Sequence, residues 1–280
     1  MPLDLESLNP DQYDAVVHPG GPLLVVAGAG SGKTRVLTQR IGWLIESGVH
    51  PMRILAITFT NKAAGEMRER VSALVGPVAN QMWVSTFHSA CVRILRAHAD
   101  LIDFPKSFSI YDAADSQRLV GYVIRDLNLD AKRFPARAVQ ARISLWKNEL
   151  MSPEAARDRA AGMLDVRYAD VYAEYQVRLE RAGAMDFDDL LLRTVQLFKR
   201  RPEILSMYQE RFQHILIDEY QDTNLAQNEI VLMLGAAHHN VCVVGDTDQS
   251  VYRFRGADFR SIMQFEQAFP DVTTVVLARS

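Results

Sequence analysis

Ala27-Gly28-Ala29-Gly30-Ser31-Gly32-Lys33-Thr34 follows the apolar run Leu23–Ala27 and precedes Lys33–Glu46, where Val36, Leu37, Ile41, Leu44 and Ile45 recur at spacings of three and four. That pattern predicts strand, glycine-rich loop and amphipathic helix in succession, a P-loop with Ala rather than Gly in its first position. The glycines let backbone N–H groups turn inward around a phosphate, at the positive end of the following helix. Lys33 then reaches the β- and γ-phosphates as a point charge, and Thr34 offers its hydroxyl to Mg²⁺. A glycine-rich turn with no ligand is the plain alternative; the intact strand–loop–helix context argues against it.

Working outward, Ile54–Phe59, Val84–Phe87, Ile215–Asp218 and Val241–Gly245 are also near-continuous apolar runs, as expected of parallel strands buried on both faces. Asn61–Val75 reads as a second helix, so strand and helix alternate as in a doubly wound sheet. From Cys91 to Arg211 only helical periodicity is evident, for example Leu119, Val120, Val123, Ile124 and Leu127. The expected fold class is therefore α/β: a P-loop domain with a parallel sheet over 1–90 and 212–280, interrupted by an all-helical inserted domain over 91–211.

The chain has 280 residues, 48% apolar and 23% charged, enough for two domains. No window approaches the ~18 apolar residues of a membrane span. The acidic start Met1-Pro2-Leu3-Asp4-Leu5-Glu6 is unlike a signal peptide. Cys91 and Cys242 make neither a disulfide scaffold nor a zinc site, so a reducing, cytoplasmic location is expected. Net charge is −3, but Arg93–Lys147 holds ten Lys/Arg against six Asp/Glu. A basic helical block can follow a phosphate backbone, or simply present solvated helix faces.

Ile215-Leu216-Ile217-Asp218-Glu219 is a strand ending in two carboxylates. Asp218 suits Mg²⁺, and Glu219 suits the base that orients or deprotonates an attacking water. Together with the P-loop they predict an NTP hydrolase. Gln249, just past the strand Val241–Gly245, stands where it could sense a γ-phosphate. Gln12 in Leu8-Asn9-Pro10-Asp11-Gln12 carries an amide able to pair bidentately with an adenine edge.

With these segments in view, the sequence resembles the superfamily I DNA helicases of the UvrD, Rep and PcrA type. The resemblance runs through Gln12, the P-loop, Ile57–Ala64, Ser85–Ser89, Met185–Leu191, Asp218–Asp222 and Gly245–Gly256, in the family's order and over nearly the whole chain. It implies a RecA-like first core domain with a helical insert, with ATP and Mg²⁺ as cofactors. It also implies ATP-driven movement on single-stranded DNA, 3′ to 5′, at duplex junctions in repair or replication. It makes Gln12 the adenine reader and Ala27, Gly28, Ala29, Gly30, Ser31, Gly32, Lys33, Thr34 and Arg35 the nucleotide contacts. Thr34 and Asp218 become the metal residues, and Lys33, Glu219 and Gln249 the catalytic ones. For DNA, the resemblance points to Phe59, His88, Tyr252, Phe254 and Arg255, whose aromatic faces can stack on any base. Asn61, Thr86 and Arg253 become backbone contacts. Core packing is the competing reading for Phe59 and His88.

The family's next motif, a Tyr-Arg pair, is expected directly after Ser280, so the chain reads as an N-terminal portion with weak or no turnover of its own. A module that binds nucleotide and single-stranded DNA without hydrolysis is the alternative. No membrane partner is expected, and the oligomeric state stays open.

Overall fold

The computed structural model describes residues 3–28, 30–246 and 260–278. In chain order, α1 (Pro10–Val16), β1 (Leu23–Ala27), α2 (Lys33–Glu46), β2 (Ile54–Thr58), α3 (Asn61–Val75) and β3 (Trp83–Thr86) alternate. Then follow α4 (Phe87–His98), β4 (Ser109–Tyr111), α5 (Ala113–Asp126), α6 (Ala136–Asn148), α7 (Pro153–Asp158), α8 (Met163–Arg181), β5 (Ala184–Asp186) and α9 (Phe187–Arg200). Next come α10 (Pro202–Arg211), β6 (His214–Ile217), α11 (Leu225–Gly235), β7 (Val241–Asp246), α12 (Arg260–Ala268) and β8 (Thr273–Leu277). The chain divides into two units, Met1–Ala90 with Pro202–Thr223 and Val231–Ser280, and Cys91–Arg201 with Asn224–Ile230.

The first unit is built on a six-stranded sheet in the order β3-β2-β6-β7-β1-β8. All its pairings are parallel; Ala27, for instance, lies between Asp246 and Leu277. Parallel pairing places every strand's C-terminal end along one edge, where an open α/β sheet binds its ligands. One face of the sheet buries Leu23, Val25, Ala56 and Val244 against Val36, Leu37, Ile41 and Leu44 of α2 and Met67 and Val71 of α3. Side-chain caps mark where α1 and α3 begin. Asn9 and Gln12 form a reciprocal capping box on α1, and the Thr60 side chain accepts from Ala63 N at the start of α3.

The sixth strand, β8, is not among the five expected from continuous apolar runs. Thr273 and Thr274 are exposed and only Leu277 is buried, because β8 is an edge strand. Its β-branched residues suit a half-buried pleat, a weaker pattern than a core strand's.

The second unit is helical, as expected, with one addition: β4 and β5 pair in parallel, Ser109 opposite Ala184 and Tyr111 opposite Asp186. Three-residue strands are too short for periodicity to reveal. Val120, Val123 and Ile124 of α5, Ile143 and Trp146 of α6, and Tyr172, Tyr175 and Leu179 of α8 form its core. Lys147 is fully buried there, 2.7 Å from Asp186 Oδ2 and 2.9 Å from Asp189 Oδ1. Within the basic stretch, then, Lys147 serves the core. Arg118, Arg125 and Arg142 pair with Asp115, Asp126 and Asp165 of the same unit, whereas Lys132, Arg133 and Arg137 are exposed. Both cysteines are buried, and burial pushes their thiols up, Cys91 to about 12 and Cys242 to about 11, as inert core residues.

Candidate functional site

The P-loop turns on two left-handed glycines, Gly30 at φ 75° and Gly32 at φ 78°. Ser31, 1% exposed, closes the turn by donating from Oγ to Gly28 O at 2.6 Å and from its backbone N–H at 3.2 Å. Gly32 is the N-cap of α2 and makes no side-chain cap bond, so the first N–H groups of a 14-residue helix stay available to an anion. A Cβ on Gly32 would lie 2.8 Å from Gln12 Nε2. Backbone and side chains leave a cradle here that suits phosphate. Ala29 lies outside the described residues.

Gln12 reaches this loop from α1. Its Nε2 donates to Ser31 O at 3.1 Å and its Oε1 accepts from Asn9 N at 3.1 Å. One amide proton and one carbonyl lone pair remain, the set that a bidentate pair with adenine requires. Arg35 is exposed and donates to the Ser7 hydroxyl.

Glu219 follows β6 in a left-handed conformation, φ 51° and ψ 43°, costly for a residue with a Cβ and typical of functional positions. Lys33 Nζ meets Glu219 Oε1 at 2.5 Å, across the strand that separates β1 from β6. Burial opposes the charge on Lys33, but the hydrogen bond and charge of Glu219, with Asp218 and Asp246, hold its pKa above the ordinary value. Burial likewise works against the Glu219 carboxylate, and bonds from Lys33 and Gln221 overcome it, keeping its pKa low. Asp218 moves the other way: burial, then the neighbouring Glu219 charge, raises its pKa, which a bound cation would reverse. Thr34, Asp218, Glu219, Thr58, Phe59 and Arg70 share the lining of one cavity of about 340 Å³.

Among the described residues no group of three His, Cys, Asp or Glu could hold a metal by itself. Thr34 and Asp218, which line the same cavity, offer one hydroxyl and one carboxylate. This suits Mg²⁺, which keeps several waters and takes phosphate oxygens alongside one or two protein ligands.

Phe59 lies just past β2, half-buried, with its ring edge-on to Phe87 at 5.8 Å. It is partly core, yet it lines the cavity. His88 stands beside Phe87 on α4, also half-buried, and burial lowers its pKa, so it is neutral at pH 7. Thr86 accepts from Ser89 N at 3.2 Å at the start of α4, and Asn61 is exposed. Gln249, Tyr252, Arg253, Phe254 and Arg255 lie outside the described residues; Asp246 precedes them at the end of β7. The sequence reading passed over Gln221, which bonds Glu219, and Arg70, which lines the cavity. The run Asp218–Asp222 contained the first signal; nothing local marks an arginine ten residues into a helix.

Fold and site define a RecA-like α/β domain with a P-loop at its sheet edge and a helical insert. The family described as "UvrD/REP helicase N-terminal domain" matches residues 8–270, and the chain belongs to that family. It is 50% identical over 277 residues to the ATP-dependent DNA helicase PcrA of Bacillus subtilis (strain 168), covering 99% of this chain and 38% of that protein. It is 49% identical to PcrA of Staphylococcus aureus (strain Mu50 / ATCC 700699), with the same coverage. Against the ATP-dependent DNA helicase UvrD1 of Mycobacterium bovis (strain ATCC BAA-935 / AF2122/97) it is 53% identical over 291 residues, 99% of this chain and 37% of that protein. The chain thus spans under two-fifths of these relatives.

Proposed function

We propose that this chain supplies the ATP-binding and water-activating half of a DNA helicase, with Mg²⁺-ATP on the P-loop and single-stranded DNA along the same sheet edge. The observation that carries it is convergence: Lys33 touches Glu219, and Thr34, Asp218 and Glu219 line one cavity, although β1 and β6 are about 190 residues apart in sequence.

Lys33 would exchange its single carboxylate partner for the more highly charged β- and γ-phosphates, while the α2 N-terminus and the glycine turn bind phosphate through backbone N–H groups. Thr34 and Asp218 would hold Mg²⁺, whose contribution is Lewis-acid stabilisation of charge on the phosphoryl oxygens. Glu219, released by Lys33, would accept the proton of the attacking water. Gln12 would read adenine with its spare donor and acceptor. Phe59 and His88, at the C-terminal ends of β2 and β3, would meet the bases, together with Tyr252, Phe254 and Arg255. Gln249 would sense the γ-phosphate. Movement 3′ to 5′ and a role in repair or replication are what kinship with the helicases named above supports. Among the described residues no helix is long and apolar enough to cross a membrane.

The test is ATP turnover by the full-length protein with and without single-stranded DNA. Lys33→Ala should lose nucleotide binding. Glu219→Gln should keep binding and lose about 10²–10⁴ in turnover, the worth of a positioned base. DNA-stimulated turnover in Glu219→Gln equal to wild type would remove Glu219 from that role. Binding of both ligands with no turnover by the unmodified protein would favour the binding-module reading.

A further inference from the structure

Gln221 lies in the single 3₁₀ turn Tyr220–Asp222 that follows Glu219. Because Glu219 reverses the backbone through its left-handed conformation, the Gln221 amide comes back over the Glu219 carboxylate. Gln221 is 9% exposed, and both ends of its amide are engaged. Nε2 donates to Glu219 Oε2 at 2.6 Å, and Oε1 accepts from Asp246 N at 3.1 Å. One buried side chain thus ties the carboxylate beyond β6 to the last residue of β7.

The two oxygens of Glu219 therefore have partners of different kinds. Oε1 faces Lys33, a mobile cation with a stronger potential partner in a triphosphate. Oε2 faces a neutral amide held at its far end by a backbone N–H, with no charge to be drawn away by phosphate. A carboxylate that lost Lys33 and had no second tether would be free to rotate. A base is effective only within hydrogen-bond reach of the proton it takes, and small misplacements are costly in rate.

We propose that Gln221 is the positioning residue for the general base, pinning Glu219 Oε2 to the end of β7 while Oε1 passes from Lys33 to the attacking water. In the step it serves, the water oxygen bonds the γ-phosphorus and its proton goes to Oε1. The bond from that phosphorus to the bridging oxygen breaks, and its electron pair leaves with the diphosphate. The inference rests on the ATP-hydrolysing reading above and concerns a residue to which that reading gives no part.

The experiment measures ATPase kinetics and equilibrium binding of a non-hydrolysable ATP analogue for the full-length protein with single-stranded DNA. Gln221→Met keeps the volume and loses both bonds. Gln221→Glu keeps the acceptor for Asp246 N and, assayed at alkaline pH where the two facing carboxylates no longer share a proton, has no donor for Glu219. Both should lower kcat by about 10- to 100-fold, part of the roughly 10²–10⁴ a positioned base contributes, with analogue affinity unchanged in Gln221→Met, which adds no charge. Added to Glu219→Gln, Gln221→Met should cost nothing more, because residues acting as a unit are non-additive. Wild-type kcat in Gln221→Glu would show that only the tether to Asp246 matters and would overturn the proposal; this variant decides if Gln221→Met fails to fold. A further, multiplicative loss in the double variant would overturn it equally. Full turnover in Glu219→Gln alone is a different result, which removes the base itself rather than its support.

Discussion

At the scale of single residues, the ion pair Lys33–Glu219 and the cluster of Lys147 with Asp186 and Asp189 have opposite purposes. Lys33–Glu219 is part-exposed, and under the proposed function a phosphate would compete for Lys33. Lys147 with Asp186 and Asp189 is sealed, and Tyr175 OH and Gln176 Nε2 add hydrogen bonds at 2.8 and 3.3 Å. Asp186 and Asp189 also cap α9 reciprocally, so the cluster sets where that helix starts. Removing one partner of a buried pair strands the other's charge. Lys147→Met should therefore destabilise the insert by about 3–5 kcal/mol, read by urea unfolding with the fluorescence of Trp146, which stacks on Tyr172 at 5.7 Å. A midpoint equal to wild type would mean that the cluster carries little stability.

At the scale of elements, the P-loop ties a local backbone demand to the proposed nucleotide binding. Gly32→Ala forces a Cβ into a left-handed position and against Gln12 Nε2; Gln12 can swing away only by giving up Ser31 O. The backbone penalty is about 1–2 kcal/mol, and nucleotide affinity should fall as well. Gly48→Ala is the control: its φ is 103°, but nothing lies within 4 Å of the added Cβ. It should lower Tm comparably and leave nucleotide Kd unchanged. Equal Kd in the two variants would detach the loop from binding. The minor elements teach a second lesson. Edge strand β8 and the pair β4–β5 were not legible in the sequence, because one-sided burial and three-residue length erase the patterns by which strands are recognised.

At the scale of the whole molecule, the histidines set an acid limit. Burial holds His18, His88, His98, His214 and His238 below the ordinary histidine value, and His214 falls to about 4 through burial and the charges of Arg40 and His238. Below an unfolded value of about 6.5, the unfolded chain binds more protons than the native one, so stability is lost as the pH is lowered through this window. Asp188 acts in the opposite sense. Burial and the Asp186 charge push its carboxyl up to about 6, so from there downward it is the native state that takes the extra proton. Thermal unfolding at constant ionic strength should show Tm declining between about pH 7.5 and 6, then declining less steeply as Asp188 protonates. Asp188→Asn should remove that easing. A Tm that rises on acidification from neutrality would contradict the assignment.

What the sequence determined by itself was everything that rests on short-range pattern: the five buried strands, the P-loop with its flanking helix, the acid pair that follows β6, and the largely helical character of the second unit. Backbone hydrogen bonding and the burial of continuous apolar runs act over a few residues, so they leave a local trace. What only the tertiary structure decided was who meets whom. Lys33 lies against Glu219, and Gln221 spans Glu219 and Asp246, because parallel pairing gathers distant strand ends along one edge. Whether Phe59 packs or projects was decided in the same way: it does both, since Phe87 comes beside it only when β2 and β3 pair. Such distances depend on chain segments tens to hundreds of residues apart closing into one sheet, and no window of sequence contains them.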